Sequence, residues 1–121
     1  MKVVYIAGPY MGDTHDGKSF FQIHTNIMFA REWAKKVFAL GAFAFCPHLN
    51  CFHMEVDTDF SADWWRKADL EILERCDAVL LIPGWENSRG SIMEKTFAQD
   101  NSIPVFYTEN ELREWLQGET K

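Results

Sequence analysis

Two unbroken apolar runs, each ended by a glycine and proline pair, constrain the fold more than any other feature of this sequence. Val3–Ala7 is followed by Gly-Pro, and the segment 77–82 is followed by Pro-Gly. Continuous apolar runs of this length are typical of strands that are buried on both faces of a parallel sheet. Because parallel strands need crossover connections, helices are expected between them.

The rest of the chain supplies the expected alternation. Helical spacing of apolar residues predicts helices over 19–40, 62–75, 91–101 and 108–116, and short apolar runs predict strands over 42–46 and 103–107. The segment 48–61 lacks periodicity and is predicted to be a long loop, of the kind that often forms a lid. The order βαβαβαβα predicts a single domain, residues 1–121, with an α/β fold: a three-layer α/β/α sandwich around a doubly wound, Rossmann-like or flavodoxin-like parallel sheet of four to five strands.

The charge and the length of the chain exclude several classes of partner and location. With 121 residues and a formal net charge of −6, the chain is not expected to bind nucleic-acid polymers or membranes, since both need clustered Lys and Arg. The first apolar run is too short for a signal peptide or a membrane span, so a cytoplasmic location is expected. An odd number of cysteines, three, argues for reduced thiols.

The loop 83–90 runs from the second apolar strand into a helix, so its amides should point into the crevice at the carboxyl end of the sheet. Ser88 adds a hydroxyl group, and Gly90 allows close approach of the backbone. Glu94 is predicted to lie in the first helical turn, where the helix dipole favours the ionised carboxylate that a nucleophile needs. A capping box between Ser91 and Glu94 is an equally good interpretation.

Asp69 is the second candidate acid. On a helix over 62–75 it shares a face with Trp65, Ile72 and Cys76, and should therefore point inward. Burial raises the pKa of a carboxyl group, which suits a proton donor or acceptor at neutral pH. The alternative is an aspartate that caps a neighbouring loop. An ionised and a protonated carboxyl group in one crevice is the division of roles used in glycosidic chemistry.

A cluster of cysteine and histidine residues follows the second predicted strand. It comprises Cys46, His48, Cys51 and His53. The spacing does not match the usual zinc motifs, so buried thiols and a loop histidine near substrate are favoured, and neither a metal nor another cofactor is expected.

Aromatic side chains near the crevice are candidates to stack on a base. Trp85 is the best of them because it lies in the crevice loop, and Phe20, Phe21 and Phe52 are others. Ordinary hydrophobic packing is the alternative for each.

Four sequence motifs together resemble the nucleoside 2-deoxyribosyltransferase-like superfamily. They are Tyr-Ile-Ala-Gly-Pro-Tyr at 5–10, Pro-His-Leu-Asn at 47–50, Asp69 ahead of Cys-Asp-Ala-Val at 76–79, and Ser-Arg-Gly at 88–90 ahead of Glu94. The resemblance spans nearly the whole chain. It is strongest to short phage and bacterial members and to nucleoside 5′-monophosphate N-glycosidases.

The resemblance implies that Glu94 attacks the anomeric carbon, that Asp69 handles the proton of the departing base, and that Tyr5 orients Glu94. Ser88 stands where the transferases have an acidic residue and the monophosphate hydrolases have a serine, which implies a 5′-monophosphate substrate. The substrate-binding residues expected around this centre are Gly8, Pro9, Tyr10, His48, Trp85, Ser88 and Gly90.

Three functional hypotheses follow. The leading one is a hydrolase of (deoxy)nucleoside 5′-monophosphates, the first alternative is a nucleoside 2-deoxyribosyltransferase that exchanges bases, and the second is a nucleotide sensor without turnover. The resemblance also implies a homodimer or a higher homo-oligomer with the site near the interface. Thr96 departs from the family, which commonly has glycine two residues after the nucleophile.

Overall fold

The sheet has four strands, all parallel, in the order β2-β1-β3-β4 in a computed structural model that describes residues 1–10, 20–51, 54 and 58–119. The strands are β1 (Val3–Ala7), β2 (Phe43–Phe45), β3 (Ala78–Leu81) and β4 (Val105–Phe106). The chain moves from β1 to one side to form β2 and then crosses to the other side for β3. The switch point therefore lies between the carboxyl ends of β1 and β3, where open α/β sheets bind ligands.

Five helices lie between and after these strands in the described residues. They are α1 (Phe20–Ala39), α2 (Pro47–Asn50), α3 (Ala62–Leu73), α4 (Arg89–Asp100) and α5 (Glu109–Glu119), and one turn of 3₁₀ helix covers Trp85–Asn87. The predicted α/β fold with a parallel sheet is confirmed.

Two apolar clusters cover the two faces of the sheet. On one face, Val4, Ile6 and Leu80 pack with buried residues of α1 and α5. On the other face, Tyr5 and Val79 pack with buried residues from α3 and α4 and their flanking segments. Alternation along β1 thus sends Tyr5 to the α3 and α4 side, and this fixes the side of the sheet on which its hydroxyl group lies.

Helices α2 and α4 differ from the sequence predictions. The segment 48–61 was expected to be a loop throughout, but Pro47–Asn50 forms a short helix, because Cys46 is extended at its N-cap and proline is favoured at a first helical position. Helix α4 was expected to begin at Ser91, but it begins at Arg89. Within the described residues no helix is long and apolar enough to cross a membrane.

The described helix α5 begins as predicted. The Glu111 backbone amide donates to Thr108 Oγ1 at 3.1 Å, and the Thr108 amide donates to Glu111 Oε1 at 3.1 Å. These reciprocal hydrogen bonds are a capping box.

Candidate active site

A tyrosine and a glutamate meet on the α3 and α4 side of the sheet. Tyr5 on β1 is fully buried, and its hydroxyl group donates a hydrogen bond to Glu94 Oε2 on α4. The tyrosine ring is also held by Phe45 on the neighbouring strand, with ring centroids 6.0 Å apart. A strand and a helix that pack on each other therefore fix both partners of this hydrogen bond.

The environment of Glu94 favours its protonated form. Burial raises the pKa of Glu94 to about 8, the hydrogen bond from Tyr5 opposes the rise, and the negative charge of Asp69 adds to it. Glu94 lies five residues after Arg89, the first residue of α4, and so beyond the first turn. The predicted first-turn position is wrong, and with it the expectation that the helix dipole keeps this carboxylate ionised, since the dipole acts only within the first turn.

Asp69 lies on α3 within electrostatic reach of both residues. Its charge raises the pKa of Glu94 and of Tyr5. Partial burial raises the pKa of Asp69 itself to about 6. The three groups form an acidic cluster in a poorly solvated environment, here called the acid cluster (Tyr5, Asp69 and Glu94). Groups coupled in this way titrate as a unit.

Ser88 caps helix α4. Its side-chain oxygen accepts hydrogen bonds from the Ser91 amide at 3.2 Å and from the Ser91 hydroxyl group at 3.0 Å, and the residue is buried. The capping box predicted between Ser91 and Glu94 is therefore wrong, because the helix starts one turn earlier. The amides of Arg89 and Gly90 are the first two of the helix and have no acceptor within it. Helix dipole, amides and the Ser88 hydroxyl group together form a setting that suits an anion.

The segment that leaves β1 packs tightly against the loop that leaves β3. A Cβ atom at Gly8 would overlap the side chain of Ile82. Gly84 has φ of +96°, and a Cβ there would lie 3.1 Å from Pro9 Cγ. Glycine at both positions lets the two loops of the switch point approach each other closely.

His48 lies against the same segment. It is 5% exposed, its Nε2 lies 2.8 Å from the Pro9 carbonyl oxygen, and its ring contacts Tyr10 edge to face at 5.2 Å. Burial lowers the pKa of His48. The structure thus places Gly8, Pro9, Tyr10 and His48 together at the carboxyl end of the sheet.

Trp85 lies on the other side of the crevice loop, towards β4. Its ring packs against Tyr107 at 5.6 Å, and Lys95 Nζ lies 5.2 Å from its centroid. These contacts match the packing interpretation more closely than the stacking one. Phe21 is exposed on α1, whereas Phe52 and the side chain of Phe20 lie outside the described residues.

An aromatic cluster beside Asp69 was missed from the sequence. Phe60 stacks on Trp64 with centroids 4.0 Å apart, and Trp65 meets both rings edge to face. Trp65 lies one helical turn before Asp69, and no described residue forms a hydrogen bond with its buried Nε1. The available signal was the density of aromatic residues at the start of the helix that carries Asp69.

Metal ligands do not converge in the described part of the chain. No group of three or more His, Cys, Asp or Glu side chains is arranged to hold an ion there. Cys46 is buried and Cys51 is partly buried, and neither forms a disulfide bond with another described residue. His53, the fourth member of the sequence cluster, lies outside the described residues.

Solved structures with the same fold include two deoxyribosyltransferases. One is a 2-deoxyribosyltransferase from the psychrotolerant bacterium Bacillus psychrosaccharolyticus, with a TM-score of 0.56 and 20% identity over 85% of this chain and 69% of that one. The other, from Leishmania mexicana, gives a TM-score of 0.59 and 16% identity, and the match covers 87% of this chain and 62% of that one. At these identities the similarity establishes the fold.

Family membership rests on the sequence itself. No curated protein is significantly similar in sequence. A family model described as a domain of unknown function, DUF4406, matches residues 2–107, a range that includes the acid cluster, Ser88 and His48. The chain belongs to the DUF4406 family, within the nucleoside 2-deoxyribosyltransferase-like superfamily.

Proposed function

We propose that this protein is an enzyme that cleaves the N-glycosidic bond of a (deoxy)nucleoside 5′-monophosphate, with Glu94 as the nucleophile. The observation that carries the proposal is the hydrogen bond from Tyr5 to Glu94 beside Asp69. A carboxylate held by a buried phenol and paired with a second acid is suited to attack a sugar carbon while the other acid manages a proton.

The reaction has two steps in which the acids exchange roles. A Glu94 oxygen bonds to C1′ as the bond between C1′ and the base nitrogen breaks, and the base receives a proton from Asp69. Water then attacks C1′, Asp69 accepts a proton from that water, and the sugar phosphate leaves as Glu94 regains its carboxylate. The second step follows the first in reverse, with water in the place of the base, so Asp69 acts first as an acid and then as a base.

The two carboxyl groups of the acid cluster must share one proton for this to work, while Tyr5 keeps its own. The productive form has Glu94 ionised and Asp69 protonated, whereas the pKa order in the free protein, about 8 for Glu94 and about 6 for Asp69, favours the opposite form. The two forms contain the same number of protons and differ only in where the proton lies. The hydrogen bond from Tyr5 favours the productive form, because it lowers the pKa of Glu94.

The start of α4 supports a phosphate on the substrate. The Ser88 hydroxyl oxygen accepts two hydrogen bonds from Ser91, so its own proton remains to be donated to an oxyanion. The amides of Arg89 and Gly90 add two donors at the positive end of the helix dipole. A carboxylate at position 88 would repel a phosphate.

A nucleoside 2-deoxyribosyltransferase is the second candidate. It is favoured by the two structures with the same fold, which are both described as deoxyribosyltransferases. Its first step is the same, and a second base replaces water in the other step. The acid cluster can catalyse either reaction. The two functions therefore differ in the molecule that accepts the sugar, which is water in the hydrolase and a second base in the transferase.

A homodimer is part of the proposal. Phe60, Trp64 and Ile72 are exposed apolar residues on or beside α3, the helix that carries Asp69, and a second copy would cover apolar surface near the site. Sedimentation velocity over a range of concentrations tests this, and a monomer at all of them would contradict it.

Base release tests the function. Wild type and Glu94→Gln are incubated with ribonucleosides, deoxyribonucleosides and their 5′-monophosphates, and free base is followed by chromatography. Release from monophosphates that is lost in the variant supports the hydrolase. Release of base only when an acceptor base is added supports the transferase. Binding of a nucleotide without release of base in either assay supports the nucleotide sensor.

A further inference from the structure

Three backbone carbonyl groups, at the end of β1 and in the segment that follows it, accept hydrogen bonds within the protein. The Ala7 carbonyl accepts from the Ile82 amide at 2.9 Å. The Pro9 carbonyl accepts from His48 Nε2 at 2.8 Å, and the Tyr10 carbonyl accepts from Asn26 Nδ2 at 2.8 Å. The last two donors are side chains from two different helices, α2 and α1.

The hydrogen bond from His48 fixes the form of its ring. A carbonyl oxygen only accepts, so Nε2 carries the hydrogen, and burial lowers the pKa of the ring and keeps it neutral. Nδ1 then holds a lone pair, which is buried without a hydrogen-bond partner among the residues that the structure describes. An orphan acceptor destabilises a fold, and an apolar side chain here would avoid it. Packing alone therefore does not explain a histidine at this position.

Asn26 acts from the other side. Its amide nitrogen, as the only donor of the side chain, faces the Tyr10 carbonyl. The ring of Tyr10 in turn lies edge-on to the His48 ring. The two donors thus hold consecutive carbonyls of one short segment, and we call Asn26 and His48 the carbonyl clamp.

We propose that the carbonyl clamp is a pair of positioning residues that keeps the Pro9 and Tyr10 carbonyls from facing an anionic substrate. A free carbonyl at the switch point would add partial negative charge at the carboxyl end of the sheet and would repel a phosphate. A carbonyl oxygen that accepts a buried hydrogen bond points towards its donor and away from the substrate. The donor also offsets part of its negative charge. The inference rests on the proposed function, since it assigns the clamp to recognition of the 5′-phosphate at the same site.

Paired substitutions separate the hydrogen bond from the volume of the side chain. His48→Leu and Asn26→Leu remove the donors without adding a charge, His48→Gln retains an N–H donor, and Asn50→Ala, an exposed residue on the same short helix as His48, is the matched control. Thermal unfolding of each variant establishes that it folds. Two readouts are taken: kcat and KM for base release, and the Kd of a deoxyribonucleoside 5′-monophosphate and of its nucleoside, by calorimetry, in proteins that also carry Glu94→Gln.

We expect the donor-removing variants to raise KM and Kd for the monophosphate by roughly tenfold, the worth of one hydrogen bond. Values for kcat and for nucleoside affinity should change by less than about threefold, and His48→Gln should recover most of the loss. Equal losses for nucleoside and monophosphate, a fall in kcat at constant KM, or no recovery in His48→Gln would overturn the clamp. Wild type that binds the monophosphate without releasing base would contradict the proposed function, while the Kd values would still decide the clamp. Absence of binding to wild type would overturn both.

Discussion

The two ends of the sheet place their polar groups in opposite ways. At the carboxyl end, Tyr5 is buried and the two carboxyl groups are partly buried on the α3 and α4 side, and burial is the largest cause of the raised pKa values of all three groups. At the amino end, a cavity of about 650 Å³ is bordered by Lys2, Asp77 and Arg113. There Asp77 accepts from the Val3 amide at 2.8 Å, and Arg113 pairs with Glu109 at 2.9 Å.

The contrast between the two ends of the sheet indicates which feature marks a reactive site. The amino end has an open cavity, but the charged groups that border it already have structural partners near solvent, where ion pairs contribute little. The carboxyl end holds acids whose environment makes their protonation responsive near neutral pH. Reactivity should therefore follow burial of titratable groups and not cavity volume, and substitutions at the two ends can test this.

The largest expected effect is the loss of the nucleophile. Glu94→Gln keeps the shape and an acceptor for Tyr5 but removes the attacking carboxylate, so kcat for base release should fall by at least about 10³-fold. The control is Glu86→Gln, an exposed acid on the neighbouring 3₁₀ turn, which should stay within about twofold. Single-turnover rates on each monophosphate check this. A variant that retained a tenth of the activity would remove Glu94 from the mechanism.

Removal of the second acid should have the next largest effect. Asp69→Asn should lower kcat by roughly 10² to 10⁴-fold, the usual contribution of general acid catalysis. In wild type, kcat/KM should be bell-shaped in pH: below about 6 both acids are protonated and no nucleophile remains, and above about 8 both are ionised and no proton donor remains.

The pH profile of Asp69→Asn supplies the check on this pair. With Asp69 gone, activity should rise with pH to a plateau, because only ionisation of Glu94 is needed. The midpoint should lie below that of the Glu94 ionisation in wild type, since Asp69 contributes to the raised pKa of Glu94. A profile that stayed bell-shaped in the variant would assign the proton donor to another group.

The fold followed from the sequence because its signals are local. Apolar runs ended by Gly-Pro and Pro-Gly marked β1 and β3, and the Thr108 and Glu111 pair marked the start of α5. The start of α4 was misplaced because Ser88 and Ser91 are both good caps, and the choice depends on which residue the tertiary structure leaves extended. Helix α2 was missed because four residues are too few for periodicity to be detected.

The site was only partly predictable. Tyr5, Asp69 and Glu94 could be named from motifs, yet the sign of the Glu94 pKa shift was wrong. Helix-dipole reasoning is local, whereas desolvation depends on three elements that pack together. The aromatic cluster of Phe60, Trp64 and Trp65 was missed because ring stacking is a property of packing. Asn26 carries no motif, and its role appears only in its contact with Tyr10.

A buried acid at the carboxyl end should also affect stability. Because the pKa of Glu94 is raised in the folded state, the folded protein holds this proton more tightly than the unfolded chain. Its contribution is fully present below the unfolded value, about 4.5, and is lost as pH rises through about 8. Glu94→Gln lacks this loss. Between pH 5 and pH 8 its free energy of unfolding should therefore rise by about 2 kcal/mol relative to that of wild type, a figure discounted for the partial exposure of the residue.

Denaturant unfolding at a series of pH values measures that gain. Asp69 is present in both proteins, so the difference between the two curves reports the ionisation of Glu94 together with its coupling to Asp69. Parallel curves for wild type and variant would mean that Glu94 is as well solvated in the folded protein as in the unfolded chain. The contrast between the two ends of the sheet would then lose its physical basis.

The smallest effect is expected at the amino end. Arg113→Gln breaks an ion pair with Glu109 whose side chains are 41% and 36% exposed, so the free energy of unfolding should change by no more than about 0.5 kcal/mol. Base release should remain within about twofold of wild type, although Arg113 borders the cavity. Chemical denaturation and steady-state kinetics on the same samples measure both quantities. A selective rise in KM without loss of stability would show that the cavity binds substrate, and volume would then be the better guide to function in this fold.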